Sequence, residues 1–453
     1  MEGKNKKKAE QVFFFFFFFT CSIQYFINNN KFKKKTLAKN FWKACSSGNL
    51  TKVQELLKEP SLDINWGDPE LGRTSFYRAC GHGHFEIAQL LLQDKRLDVN
   101  KPNKGGATPF YIACQSGQYE IVKLLMEFEG VDITKIEGID NCTPFYIACS
   151  QGKLGIVKLL MKDPRTDINQ VQLFGASPFH IACQNGQIDI VKLLLNDPRT
   201  NINEQDVDDI SPLMRACYEE RIEIVKILLR HPGIKVNPDI GEDGIGMSPF
   251  FIACRHGYIE MAKLLLKEKR VELDNLNSRT SPFYIACQEG HLEIIKWMLI
   301  SEREIDFTRQ CQNRKITPKQ QAKILSTLGP MNYETNEDAQ IRQQTSLEIY
   351  NLLADFENNP LRVKNQLKRS FNLRSKIFFA SFISFLSSNS FAFLKKTNSF
   401  FFFNKKIVSS DLFVIVILLL DEYLCLKDEA NESIQRFFFL SFSFIFFHFL
   451  SIN

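Results

Sequence analysis

The chain has 453 residues, with 57 Lys and Arg against 51 Asp and Glu, and it contains 42 phenylalanines. Residues 1–35 and 361–453 each carry a net charge of +6, the middle 36–360 carries −6, and 27 of the phenylalanines lie in 13–19 and 371–449. Because the basic charge belongs to the ends, the body of the chain lacks the clustered basic surface of a nucleic-acid-binding protein.

The N-terminal flank, residues 1–35, is of low complexity. Lys4 and Lys6 to Lys8 precede the apolar run Val12–Phe19, an order that superficially matches a secretory signal. The run is short, consists almost wholly of phenylalanine, and has no small-residue cleavage site after it. We therefore predict a Lys- and Phe-rich flank here and no folded domain.

The middle of the chain, residues 36–357, repeats one short motif. The sequence TPFYIAC at Thr108–Cys114 returns with small changes, and the cysteines that close the copies are spaced by 33 to 37 residues. The other copies are Lys39–Cys45, Thr74–Cys80, Thr143–Cys149, Ser177–Cys183, Ser211–Cys217, Ser248–Cys254 and Ser281–Cys287. Eight units at one period indicate a stacked-repeat architecture.

Each unit has the sequence pattern of two short helices. The Ser or Thr caps the first helix and the proline fits its first turn, whereas a glycine such as Gly117 allows the left-handed turn that ends it. The second helix, for example Glu120–Met126, has one apolar stripe. One helix pair cannot bury this stripe alone, so we predict an all-α solenoid of stacked helix-turn-helix repeats with short turn tips.

These units resemble the ankyrin repeat, which consists of a turn and two antiparallel helices in about 33 residues. Segments such as Thr108–Cys114 occupy the place of the family's Thr-Pro-Leu-His-x-Ala signature, and Asp167–Asn169 occupies that of its closing Asp-Val-Asn. Only His180 keeps the signature histidine, and an aromatic residue such as Tyr111 replaces it in most other units. The resemblance implies an ankyrin-type α-solenoid that acts as a protein–protein interaction scaffold.

The array has atypical ends, as terminal repeats usually do. The first unit, Lys39–Cys45, lacks the cap and the proline and has Lys43 where other units have isoleucine. A degenerate ninth unit begins at Thr317, and we predict its second helix at Ser346–Phe356, behind an insertion that spans residues 326–345. This unit is interpreted as a closing cap.

The eight repeat cysteines are predicted to be buried and unbridged. Equivalent positions of stacked helices lie about 8–10 Å apart, whereas a disulfide needs Cα atoms within about 7 Å. Free buried cysteines are typical of a reducing compartment, so we expect the protein in the cytoplasm. Cys80, His82 and His84 lack a second ligand pair at zinc spacing, and no metal or cofactor is predicted.

No enzyme signature is present in the sequence. It contains no Gly-rich phosphate loop with a lysine, no GxSxG motif and no HExxH motif. We therefore predict that the protein is not an enzyme.

Two regions vary between the units: the turn before each cap and the two residues after each repeat cysteine. The resemblance implies that both line one concave face that binds partners. Tyr218 and nine acidic residues fall in these regions of unit 6 and in the turn after it: Glu204, Asp206, Asp208, Asp209, Glu219, Glu220, Asp239, Glu242 and Asp243. Such a negative field would speed encounter with a Lys/Arg-rich segment of another protein.

Two alternatives to this acidic site stay open. The carboxylates could simply belong to solvated turns that keep the array soluble. Trp66, in the turn of the second unit, is a different candidate anchor, because aromatic side chains often contribute strongly to protein interfaces.

The C-terminal flank, residues 358–453, is rich in phenylalanine. Its longest apolar runs are the nine residues Leu412–Leu420 and the sixteen residues Phe437–Ile452, whereas a membrane-spanning helix needs about 20. Three interpretations of the flanks remain: a membrane tether through Phe437–Ile452, which would make the protein a membrane-anchored adaptor; a disordered flank; or translation of AT-rich non-coding sequence.

Overall fold

The computed structural model describes residues 32–237, 247–274, 280–311, 314–331 and 334–372. Within these ranges the chain forms 19 α-helices and no strand. The helices are α1 (32–47), α2 (Leu50–Leu57), α3 (Ser75–His82), α4 (Phe85–Leu92), α5 (Pro109–Ser116), α6 (Tyr119–Glu127), α7 (Pro144–Ser150), α8 (Leu154–Leu160), α9 (Pro178–Gln184), α10 (Ile188–Leu195), α11 (Pro212–Tyr218), α12 (Ile222–Arg230), α13 (Pro249–His256), α14 (Ile259–Lys267), α15 (Pro282–Gln288), α16 (Leu292–Ile300), α17 (Pro318–Thr327), α18 (Asn336–Asn358) and α19 (360–372).

Consecutive helices pair into units, from α1 and α2 in unit 1 to α15 and α16 in unit 8, with α17 and α18 as unit 9. First helices pack on first helices along the array, α3 on α5, α5 on α7 and so on to α15 on α17. Second helices pack on second helices in the same order, but less extensively. The predicted all-α solenoid of stacked helix pairs is confirmed.

The helix starts follow from the caps that the sequence shows. In units 2 to 9 a Ser or Thr side chain accepts a hydrogen bond from the third backbone amide of the first helix. Thr108 is typical, since its hydroxyl accepts from the Tyr111 amide at 3.1 Å and Pro109 occupies the first turn. Each such cap satisfies an amide that has no partner inside the helix.

The core is a continuous layer between the helix pairs. The first helices bury large apolar residues such as Phe110 and Phe179, and the second helices bury a stripe such as Ile121, Val122 and Leu125. Burying a side chain of this size contributes about 1.5–3 kcal/mol. The surface that buries it belongs largely to neighbouring units, so stability depends on stacking.

The eight repeat cysteines are fully buried and free, as predicted. Burial raises the pKa of the Cys45 thiol to about 12. The same cause raises the pKa of each of the other seven. They are therefore neutral packing residues at physiological pH.

The turns that precede the first helices form hairpins joined by backbone hydrogen bonds. The Lys104 amide donates to the Leu71 carbonyl at 2.8 Å, and the same link recurs between units 3 and 4, 4 and 5, and 5 and 6. Close approach requires glycine at Gly106 (φ +89°), because a Cβ there would lie 2.3 Å from the Gly138 nitrogen. Units 2 to 6 thus present a connected row of hairpin tips.

The ninth unit differs from the prediction in where its second helix begins. Helix α18 starts at Asn336, ten residues before the predicted Ser346, so part of the supposed insertion is helical. Thr335 and Asp338 cap it reciprocally. The first turns of α18 lack the apolar stripe from which the helix was predicted, so the prediction missed them. They are held instead by Arg342, which donates a hydrogen bond to the Leu325 carbonyl at 2.7 Å.

Helix α19 follows the ninth unit. The compact unit that contains the repeats ends at Arg369, and a second unit spans Ser370–Asn453, of which only 370–372 are described. The apolar runs Leu412–Leu420 and Phe437–Ile452 lie outside the described residues. Among the helices that the structure does describe, none has the length and hydropathy needed to cross a membrane.

Candidate functional site

A groove runs between the hairpin turns and the first helices of units 2 to 5. Its volume is about 520 Å³, within the range of about 300–1,000 Å³ that is usual for binding pockets. Both variable regions of the sequence contribute to it. The lining residues are Tyr77, Asn103, Ala107, Tyr111, Gln115, Glu137, Ile139, Asp140, Cys142, Tyr146, Ile147, Ser150, Gln172, Phe174 and Ile181. We call it the tyrosine groove.

Three tyrosines at one repeat position give the groove its name. Tyr77, Tyr111 and Tyr146 replace the signature histidine of units 2 to 4, and each is only 6–7% exposed. Asn103 Nδ2 donates to the Tyr77 hydroxyl at 3.4 Å. Within the described ranges no partner bonds to the hydroxyls of Tyr111 and Tyr146. Neither is fully enclosed, so both oxygens reach the groove.

Two carboxylates, Glu137 and Asp140, face the same space from the hairpin turn of unit 4. Glu137 Oε2 accepts a hydrogen bond from the Asp140 amide at 3.0 Å, which fixes the Glu137 side chain. Burial raises the pKa of the neighbouring Cys142 thiol to about 11, and Asp140 and Glu137 add to the effect. The two carboxylates therefore make the potential negative beside Cys142, whereas further along the groove burial raises the pKa of Tyr146 and Arg215 partly offsets that rise.

A second acidic surface lies on unit 6, which the sequence had singled out. Five of the predicted residues are exposed there, and none forms an ion pair in the part of the chain that the structure describes. They are Glu204, Asp208, Asp209, Glu219 and Glu220, and we call them the acidic face. The predicted residues Asp239, Glu242 and Asp243 lie outside the described residues.

Asp206 does not belong to this exposed set. It is 8% exposed, and it accepts hydrogen bonds from the amides of Asp208 and Ile210 and from Arg215 Nη2 at 2.5 Å. The carboxylate therefore holds the hairpin turn together and is not available to a partner. The sequence contains a signal for this role, since the turn-bracing residues recur every 34 or 35 positions: Asp68, Asn103, Glu137, Gln172 and Asp206.

His180, the only signature histidine, lies beside this ion pair. Its Nε2 is 3.7 Å from Asp206 Oδ2 and 3.5 Å from Arg215 Nε. Burial lowers the pKa of His180, and the attraction of Asp206 only partly offsets it. The imidazole is therefore neutral at pH 7 and joins the first helix of unit 5 to the turn of unit 6.

Two members of the acidic face occupy an unusual backbone conformation. Asp209 has φ +59° and Glu220 has φ +52°. In unit 5 the corresponding residues are glycines, Gly175 and Gly186. A left-handed conformation costs a residue with a side chain roughly 1–2 kcal/mol. Unit 6 thus carries carboxylates at two left-handed positions, of which unit 4 fills the first with Asn141 (φ +55°).

The two predicted aromatic residues are only partly accessible. Tyr218 is half-buried; its hydroxyl donates to the Met247 sulfur, and its ring lies 5.7 Å from the His256 ring. Trp66 is half-buried in the turn of unit 2. Three units separate Trp66 from the acidic face, so the structure does not bring the two predicted sites together.

Cys80, His82 and His84 do not form a metal site. Cys80 is buried in the stack, and His84 Nε2 lies 3.2 Å from the Ser46 carbonyl oxygen. Within the described ranges, no group of three or more His, Cys, Asp or Glu side chains is placed to hold a metal ion.

Comparison with known proteins agrees with the repeat geometry. The family model for ankyrin repeats, which contains three copies, matches residues 41–137, 145–240 and 235–311. No curated protein matches the chain. The matched segments cover most of the stacked helix pairs described above, from unit 1 to unit 8, and more than half of the sequence. The chain therefore belongs to the ankyrin-repeat family.

Proposed function

We propose that this protein is a non-catalytic scaffold that binds a Lys/Arg-rich segment of another protein through the acidic face. Ankyrin repeats generally serve as protein–protein interaction modules and are typically non-catalytic. The basic partner segment is our inference from the charges of unit 6. Trp66, far along the array, is a separate contact point for a long partner.

The observation that carries the proposal is the backbone of Asp209 and Glu220. Glu220 holds a left-handed conformation that unit 5 gives to Gly186, and Asp209 holds one that unit 5 gives to Gly175 and unit 4 to Asn141 (φ +55°). A conformational cost retained at exposed positions points to a use for the side chains. A solvated turn would be served equally well by glycine.

The charge distribution of unit 6 supports a basic partner. None of the five carboxylates of the acidic face is neutralised by an ion pair among the described residues, whereas Asp206 beside them is paired with Arg215 at 2.5 Å. Arg221, the basic residue that follows Glu220 in the sequence, donates a hydrogen bond to the Gln184 carbonyl at 2.9 Å. The unpaired carboxylates leave a negative potential that attracts Lys and Arg side chains.

The cysteines support a reducing compartment, and we propose the cytoplasm. All ten cysteines in the described part of the chain are free and buried. Proteins of oxidising compartments commonly use cysteine for disulfides. Imaging of the full chain with a fluorescent tag would show diffuse cytoplasmic signal, and accumulation in the secretory pathway would contradict this assignment.

The test is charge reversal with a matched control. The full-length protein and the variant Asp208→Lys/Glu219→Lys are used side by side to capture partners from cell extract. The control Glu127→Lys/Glu129→Lys makes the same charge change at exposed positions of unit 3, outside the acidic face. We expect a partner with a Lys/Arg-rich segment to be retained by the wild type and the control and lost by the unit 6 variant.

The kinetics of the captured partner then decide the mechanism. Reversal on the acidic face should lower its association rate about tenfold at low salt and flatten the salt dependence. Unchanged affinity and unchanged salt dependence in the unit 6 variant would contradict the proposal.

A further inference from the structure

Two tyrosine hydroxyls of the tyrosine groove are accessible and accept no hydrogen bond from the described residues. Tyr111 and Tyr146 are 6% and 7% exposed, so their rings are fixed by packing. Their hydroxyls nevertheless reach the groove, and neither has a hydrogen-bond partner among the described residues. Polar groups this close to full burial usually have a hydrogen-bond partner in the protein or in ordered water. Two such hydroxyls at adjacent repeat positions are therefore available to accept hydrogen bonds from a ligand that supplies donors.

The charged residues of the groove determine the sign of the charge that the ligand should carry. Glu137 and Asp140 are the only charged side chains among its lining residues, and no ion pair neutralises either one in the described part of the chain. Burial raises the pKa of Tyr111, and Glu137 and Asp140 contribute further. The hydroxyl thus remains protonated and neutral, and the carboxylates favour a cation.

The rim of the groove is apolar. Ile139 is 68% exposed and Phe174 is 58% exposed, and they stand on the hairpin turns of units 4 and 5. Exposed side chains of this size beside a pocket are typical of protein contact surfaces. A ligand that offers apolar groups on either side of its charge would bury both.

The groove is continuous with unit 6 along the hairpin tips. The Val207 amide donates to the Phe174 carbonyl at 3.1 Å, so the turn that carries Asp208 lies next to the groove rim. A chain segment that lies on the acidic face therefore reaches the groove by following the row of hairpins.

We infer that the tyrosine groove accepts one Lys or Arg side chain of an extended partner segment, with apolar neighbours of that residue packed on Ile139 and Phe174. The cationic group donates hydrogen bonds to the hydroxyl oxygens of Tyr111 and Tyr146 and pairs with the carboxylates of Glu137 and Asp140. This inference rests on the proposed function, and it assigns the groove as the anchor of the segment that the acidic face attracts.

The experiment uses the full-length protein labelled with ¹³C in its tyrosine rings and two short peptides as probes. The first is acetyl-Leu-Lys-Leu-amide, and the second replaces its lysine with norleucine, which has nearly the same length but no charge. NMR spectra are recorded as each peptide is added. Resonances of Tyr111 and Tyr146 are assigned from Tyr111→Phe and Tyr146→Phe.

We expect the lysine peptide to shift the Tyr111 and Tyr146 resonances in a saturable way, with at least tenfold tighter binding than the norleucine peptide. Glu137→Gln/Asp140→Asn should weaken lysine-peptide binding at least tenfold. In this variant the side-chain amide oxygen at position 137 can still accept from the backbone amide of residue 140, so the turn keeps its hydrogen bond. Equal binding of both peptides, or no shift at either tyrosine, would overturn the inference.

A further variant separates this inference from the proposed function. Asp208→Lys/Glu219→Lys should leave lysine-peptide binding in the groove within about twofold while it weakens a captured basic partner. If the peptide binds as expected but no partner depends on the acidic face, the proposed function fails and the groove assignment stands. If a partner depends on the acidic face but the peptide does not reach the tyrosines, the groove assignment alone fails.

Discussion

Units 5 and 6 share one scaffold but differ at the exposed positions of their turns. Both begin with a serine cap, at Ser177 and Ser211, and both bury the repeat cysteine. Unit 5 uses Gly175 and Gly186 where the backbone is left-handed, whereas unit 6 uses acidic residues there. The comparison separates, within one repeat, the residues that build the fold from the exposed residues that we propose contact a partner.

Units 5 and 6 also differ in the residue that braces the hairpin turn. Gln172 and Asp206 both brace a hairpin turn, but only Asp206 also forms an ion pair, with Arg215, beside the buried His180. Unit 6 therefore combines a buried charge with an exposed acidic surface.

The largest expected effect falls on both units equally. Phe179 and Leu213 occupy the same core position, at 1% and 2% exposure. Phe179→Ala should lower the free energy of unfolding by about 3–5 kcal/mol and Leu213→Ala by about 2–5 kcal/mol, because each leaves a cavity between stacked helices. Urea denaturation measures this. A cost below about 1 kcal/mol in unit 6 alone would show that its core is built differently.

The next largest effect on stability should differ between the hairpin turns of units 5 and 6. Asp206→Ala removes the partner of Arg215 and two hydrogen bonds to backbone amides, and should cost about 2–3 kcal/mol. Gln172→Ala in unit 5 removes a neutral acceptor and should cost about 1 kcal/mol. Equal costs in urea denaturation would mean that the ion pair adds nothing to stability.

Because His180 is buried, we expect the free energy of unfolding to depend on pH. Burial holds the pKa of folded His180 below the ordinary value of 6.5, so the unfolded chain binds the proton more readily. Stability from this group is complete above pH 6.5 and falls as the pH drops below it, by at most about 1.4 kcal/mol per pH unit. His180→Met, which copies Met214 of unit 6, should remove this part of the slope. An unchanged slope in urea denaturation between pH 7 and 5 would contradict the assignment.

The smallest expected effect concerns the left-handed position that is Glu220 in unit 6 and Gly186 in unit 5. Glu220→Gly should raise the free energy of unfolding by about 1 kcal/mol, because it relieves the left-handed conformation. The mirror change, Gly186→Glu in unit 5, should lower it by about the same amount, since the space beside Gly186 is open enough for a Cβ. Thermal or urea denaturation of the pair measures both signs.

Much of the fold could be predicted from the sequence because one pattern recurs. The Ser/Thr-Pro caps, the glycine stops and the eight buried cysteines are local features, and repetition removes the ambiguity of any single copy. The start of α18 was missed because a polar helix turn held by Arg342 has no apolar period. In such a segment, tertiary hydrogen bonds decide the structure.

The candidate site was predictable only in part. The exposed carboxylates of unit 6 follow from composition and position, but the burial of Asp206 depends on its contact with Arg215, nine residues away. The tyrosine groove was missed because its hydroxyls, carboxylates and apolar rim come from four different units. Exposed Ile139 and Phe174 in otherwise polar turns are the sequence signal that could have indicated it.

One measurement tests most directly the claim that unit 6 keeps its carboxylates for binding at a cost in stability. Asp209→Gly/Glu220→Gly gives both turns of unit 6 the glycines of unit 5 without reversing any charge. Its unfolding in urea is compared with its association rate for a fluorescent dodecapeptide of Lys and Arg at low salt. We predict a gain of about 1–2 kcal/mol in stability together with a three- to tenfold slower association. A variant that gains stability and binds the peptide as fast as the wild type would contradict the account.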